Sequence, residues 1–74
     1  MTPGHLLKSL RKDLGLSQTE FAKQLGVSQG GLSKFESGRT RVTLEAFLRA
    51  YQMTLEPECS GRLYGEFERF LLKK

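Results

Sequence analysis

Few side chains of this 74-residue chain carry reactive chemistry, and they stand apart. There is one histidine, His5, one cysteine, Cys59, and eight carboxylates scattered along the sequence. Hydrolytic or metal-assisted catalysis needs a nucleophile beside a base, or a cluster of ligands, and no spacing here marks either. Cys59 alone forms neither an internal disulfide nor a cysteine-based metal cluster, and it suits a reducing compartment. It reads as an incidental thiol, and His5 as a helix-start or surface residue. An enzyme is therefore the least expected class, and no cofactor is expected. The cations are more informative. Through Arg41 there are seven basic residues, Lys8, Arg11, Lys12, Lys23, Lys34, Arg39 and Arg41, against three acidic ones, Asp13, Glu20 and Glu36. From Val42 onward five basic residues meet five acidic ones, so the formal net charge of +4 belongs entirely to the first 41 positions. A localised basic excess favours a polyanionic partner, since each neutralised phosphate releases condensed counterions.

The elements that must hold these cations are marked in the sequence. Phe21 and Leu25 share a helix face, Ala22 is small where a second helix would press, and Leu32 with Phe35 supplies the facing side. Gly26 between them tolerates a positive φ, as a steep helix-turn-helix crossing requires. Ser17 with Glu20 three positions on forms a capping box, and Ser28 caps the next helix. These signals predict helices at Gln18 to Leu25 and Gln29 to Ser37, with Gly38 as the stop. Upstream, Thr2 and Pro3 open a helix whose Leu6, Leu7, Leu10 and Leu14 recur at helical spacing, placing it at about His5 to Leu14 with Gly15 at its end. Downstream, Thr43 caps a fourth helix whose stripe of Leu44, Phe47, Leu48 and Tyr51 is expected to close the core over Phe21 and Leu32.

After Gln52 the alternation of Met53, Thr54, Leu55 and Glu56 before Pro57 admits a short extended edge strand, or a loop. Ser60 then caps a last helix carrying Leu63, Phe67, Phe70 and Leu71, which Gly65 weakens by about 1 kcal/mol relative to alanine. One domain spans residues 1–74, small enough that much apolar surface stays only partly buried in a monomer. The N-terminus lacks the apolar run of a signal peptide, and no stretch approaches the roughly 20 apolar residues of a membrane span. A cytoplasmic protein without membrane contact is the expectation.

The stretch LRKDLGLSQTEFAKQLGVSQGGLSKFESGRTRVTLEAFLRAY resembles the phage-repressor and Cro type helix-turn-helix, the XRE family, over about Leu7 to Tyr51. The resemblance implies an all-α, lambda-repressor-like five-helix domain that binds a palindromic operator in double-stranded DNA as a homodimer and represses transcription. Carried over position by position, it implies base contacts from Ser28, Gln29, Gly30, Ser33 and Lys34. Gln29 has the amide to pair with adenine, and Lys34 can donate to guanine. It implies phosphate contacts from Gln18, which also braces the first side chain of the recognition helix, and from Ser37, Arg39, Thr40 and Arg41. Such contacts position a protein without specifying sequence. It further implies a structural ion pair between Arg11 and Glu36.

Gly30 and Gly31 depart from the family pattern, either to admit the DNA backbone closely or because this helix reads fewer bases through side chains; the second reading is preferred. Residues 53–74 are expected to form a dimerisation tail, with Leu55, Leu63, Phe67, Phe70 and Leu71 at the interface, because two half-sites about 10 bp apart require a two-fold pair. A repressor of a prophage, restriction-modification or toxin-antitoxin operon fits these features. The MTLEP segment resembles the short strand of HipB-type antitoxins, which implies a toxin protein as a further partner. A helix-turn-helix adaptor that binds protein instead of DNA is the competing class, and Gln18, Gln29, Lys34, Arg39 and Arg41 speak against it.

Overall fold

A computed structural model describes residues 2–57 and 61–72. Each of the first four helices starts where a side chain takes up an otherwise orphaned backbone donor. The Thr2 hydroxyl accepts from the His5 amide at 3.1 Å and opens α1, Pro3–Asp13, two residues earlier than its apolar pattern predicts. The pyrrolidine of Pro3 fits the first turn, where no N–H is required. Ser17 opens α2, Gln18–Leu25, through a reciprocal capping box. Its hydroxyl accepts from the Glu20 amide at 3.1 Å, and the Glu20 carboxylate accepts from the Ser17 amide at 3.1 Å. Ser28 opens α3, Gln29–Ser37, and Thr43 opens α4, Leu44–Met53, each hydroxyl accepting from the amide three residues on. The last helix, α5, is Gly61–Leu72. Ser60 and Cys59 lie outside the described residues. Gly26 and Gly38 end α2 and α3 at φ 76° and 81°, and Gly15 turns at 69° between α1 and α2.

The core gathers Leu6, Leu7 and Leu10 of α1, Phe21, Ala22 and Leu25 of α2, Leu32 and Phe35 of α3, and Ala46, Phe47 and Ala50 of α4, with Leu63 and Phe67 of α5. Helix α1 packs against α3, α4 and α5, so the first helix is the central strut of the fold. Its closest approach is to α3. Gly4 is buried, and a Cβ placed on it would lie 1.9 Å from the Phe35 carbonyl oxygen. Helices α4 and α5 run antiparallel along a ladder of rings: Phe47 stacks on Phe67 at 4.9 Å and touches Phe70 at 5.5 Å, while Tyr51 stacks on Tyr64 at 5.3 Å.

Three expectations for the C-terminal half are corrected. The stripe on α4 is rotated: Ala46, Phe47 and Ala50 are buried, whereas Leu44 and Leu48 stay 67% and 41% exposed. Two alanines let α4 lie close to α1 and α2, a fit that the bulkier leucines would obstruct. Of the strand and loop alternatives after Gln52 the loop holds, and no strand occurs among the described residues. Met53 ends α4 and the chain continues in turns, with the Leu55 and Glu56 amides donating to the Gln52 and Met53 carbonyls. Leu63 and Phe67, expected at a dimer interface, are 3% and 0% exposed within the protomer and have no surface to offer. Leu55 and Phe70 remain 69% and 37% exposed, and Leu71 is half-buried against the core.

Candidate nucleic-acid interface

Leu32 and Phe35 turn one side of α3 into the core, which leaves Gln29, Gly30, Ser33, Lys34 and Ser37 on the other side at helical spacing. Gln29, Gly30, Lys34 and Ser37 are exposed and Ser33 is half-buried. The Ser28 hydroxyl is engaged as the cap of α3, accepting from the Gly31 amide at 3.0 Å. The Ser37 hydroxyl donates to the Lys34 carbonyl at 3.2 Å. Around Gly30 no other atom would meet an added Cβ within 4 Å, so this stretch of helix is bare of neighbours.

A continuous line of polar contacts ties that outer face to the interior. Arg11 of α1 donates from Nε to Glu36 Oε2 at 2.9 Å and from Nη2 to Oε1 at 3.2 Å, and its third contact is the Leu16 carbonyl at 3.2 Å. The two side chains are 15% and 4% exposed, so the pair is largely withdrawn from water. Gln18, at the first turn of α2, donates from Nε2 to Glu36 Oε1 at 3.0 Å. Gln29 in turn donates from Nε2 to Gln18 Oε1 at 2.7 Å. Three helices thus meet in one hydrogen-bonded array that ends on an exposed amide. Networks of this kind hold their members in one geometry because each bond polarises the next.

Arg39, Thr40 and Arg41 follow α3 as an exposed loop, with the Arg39 amide folded back to the Lys34 carbonyl at 2.9 Å. They line a shallow cleft with Thr2, Pro3 and Gly4 at the start of α1, where the N-terminal end of the helix dipole adds positive potential. Of the residues expected to read bases, Gln29, Gly30, Ser33 and Lys34 lie on α3 and Ser28 caps it; of those expected at phosphates, Arg39, Thr40 and Arg41 lie on the loop, Ser37 ends α3 and Gln18 opens α2. Two further features carry no sequence signal. Gln18 bonds to Glu36 across 18 positions, and the Arg49 guanidinium lies so near the α2–α3 turn that a Cβ on Gly26 would sit 2.7 Å from its Nη1. Only the folded geometry brings these groups together. Among the described residues no group of three or more potential metal ligands occurs, and no helix is long and apolar enough to cross a membrane.

A helix-turn-helix domain model matches residues 4–58, which covers α1 through α4 and the turn beyond. The chain belongs to the XRE-type helix-turn-helix family. This helix-turn-helix domain is 43% identical over 54 residues to a protein of Pyrococcus horikoshii named as an HTH-type transcriptional regulatory protein, covering 73% of this chain and 17% of that protein. A similarly named protein of Pyrococcus abyssi is 48% identical over 46 residues, 62% of this chain and 15% of its own length. The antitoxin PezA of Streptococcus pneumoniae is 45% identical over 42 residues, 57% of this chain and 27% of its own length. The chain thus spans less than a third of the length of these curated relatives. No solved structure matches it.

Proposed function

We propose that the domain binds double-stranded DNA in a sequence-specific manner, as a homodimer on an inverted repeat, and represses the operon so marked. The observation that carries this reading is the outer face of α3. Gln29, Ser33 and Lys34 stand on the side of α3 that faces away from the core, and Gln29 is held from behind by Gln18. The major groove admits one α-helix, and amide and ammonium groups are the donors that distinguish adenine and guanine edges there. Gln18, Ser37, Arg39, Thr40 and Arg41 flank that face and take the phosphates, the free donors at the start of α2 adding to the Gln18 site. A two-fold pair is supported by apolar surface that a lone domain leaves in water, with Leu55, Phe70 and Leu72 exposed and Leu71 beside them.

The test is selection of bound duplexes from a random library at near-physiological salt, repeated with Lys34→Ala. Enrichment of an inverted repeat, with relaxed preference at one base pair in each half-site of the variant, supports the reading. An unchanged profile in the variant removes Lys34 from direct readout, and no enrichment at all defeats sequence-specific binding. A second reading, an antitoxin that also holds a toxin, is favoured by the likeness to PezA. Co-purification of an unrelated chain in constant ratio with this one separates the two.

A further inference from the structure

We propose that Glu36, whose side chain is only 4% exposed, sets the base preference of Gln29 by fixing the direction of the hydrogen bonds between them. The proposal rests on the DNA-reading role of Gln29 given above and adds a positioning residue to it. The chemistry runs one way only. An ionised carboxylate has acceptors and no donor, and a guanidinium has donors and no acceptor. Glu36 is held by Arg11 through both carboxylate oxygens. The Gln18 amide therefore has to turn its Nε2 toward Glu36 Oε1, as it does at 3.0 Å. Its oxygen is left facing α3, where it accepts from Gln29 Nε2 at 2.7 Å.

Gln29 thus meets the groove with an uncommitted oxygen and one remaining N–H. That is one acceptor beside one donor, the complement of adenine N6 and N7. Were the relay reversed, with Gln18 Nε2 donating to Gln29 Oε1, Gln29 would present only N–H donors. These match the two acceptors of guanine. An amide has no such preference when unattached, because its two ends differ little in size and exchange by simple rotation. The choice between the two bases is therefore made at Glu36 and transmitted through Gln18.

Selection profiles and thermal melts of the wild-type domain and of Gln29→Ala, Glu36→Gln and Gln18→Met test this. Gln29→Ala identifies the base pair in question. There the wild type is expected to favour adenine over guanine by about 5- to 150-fold, the range of one good bidentate contact. Glu36→Gln offers Gln18 either an oxygen or an amino group, so the ratio is expected to fall toward parity. Gln18→Met cuts the relay and leaves the Arg11–Glu36 pair in place. It weakens all duplexes together through its lost phosphate contact and is expected to bring the same ratio toward parity with the melting temperature near that of the wild type. It serves if Glu36→Gln does not fold. A purely structural role for Glu36 alters melting and leaves the ratio alone. An unchanged ratio in folded Glu36→Gln or in Gln18→Met overturns the proposal while the DNA-reading stands. A wild type that enriches no sequence overturns that reading and this proposal with it.

Discussion

Arg11 brings a charge into a site that is only 15% exposed, and Glu36 answers it at 4%. Removing one member leaves the other desolvated without its partner, which costs about 3–5 kcal/mol for buried pairs. Arg11→Ala is therefore expected to lower unfolding free energy by an amount near that range, measured by urea denaturation; a loss under about 1 kcal/mol, the level of an exposed pair, contradicts the burial argument. Gly30 sits at the opposite extreme, exposed in a helix with nothing near its missing side chain. Gly30→Ala should stabilise the domain by about 0.5–1 kcal/mol and raise its melting temperature by several degrees. Its affinity for a selected operator should hold if, as proposed, side-chain readout comes from Gln29, Ser33 and Lys34. A higher melting temperature with collapsed affinity would instead put DNA backbone against the bare Cα. Of these residues, the likeness to a family paired Arg11 with Glu36 in advance, because no periodicity links positions 25 apart. The Gln18–Glu36 bond was not legible at all. A polar residue at a helix start reads as a cap or a surface group until the fold brings a carboxylate to it.

Helices were legible wherever a cap and an apolar period agreed. Ser17, Ser28 and Thr43 each cap a helix by accepting from the amide three residues on. The period failed on α4, where Leu44 and Leu48 outweigh Ala46 and Ala50 in hydrophobicity but cannot match their closeness of packing. The same closeness governs α1 against α3. Gly4→Ala would drive a methyl group into the Phe35 carbonyl, and since both partners are backbone in regular helices, neither can yield cheaply. Its cost is expected at about 1–3 kcal/mol or above, measured by thermal melting. The contact between α4 and α5 has a spectroscopic signature. Hydrogen bonding with the Tyr64 side chain, followed by burial, pushes the Tyr51 hydroxyl up from 10.0 to about 12. A pKa raised in the folded state gives a contribution intact below pH 10 and lost as pH climbs toward 12. Tyrosinate absorbance should show one late-titrating tyrosine, and Tyr64→Phe should bring Tyr51 back toward 10.

At the scale of the molecule, the last helix divides its apolar residues between two tasks. Leu63 and Phe67 complete the protomer core, whereas Phe70 rests one side on Phe47 and leaves 37% of its surface outside. Helical spacing alone placed all of them on one stripe and could not tell core from interface, since burial depends on how far α5 tilts over α4. For the proposed dimer, Phe70→Glu is expected to raise the dissociation constant at least tenfold, about 1.4 kcal/mol, by analytical ultracentrifugation, with a smaller loss of folding stability. Equal losses would assign Phe70 to the core. Among the described residues, the connections α1–α2, α2–α3 and α3–α4 also share one trait, a glycine at positive φ: Gly15, Gly26 and Gly38 at 69°, 76° and 81°. A mirror-image residue takes such angles without strain, as an L residue takes their negatives. Chemical synthesis with D-alanine at Gly15 or Gly38 should therefore rigidify the unfolded chain and stabilise the domain by about 0.4–1 kcal/mol per site, whereas L-alanine there should weaken it. The handedness of two small turns is thus a lever on stability that no gene encoding L residues can reach.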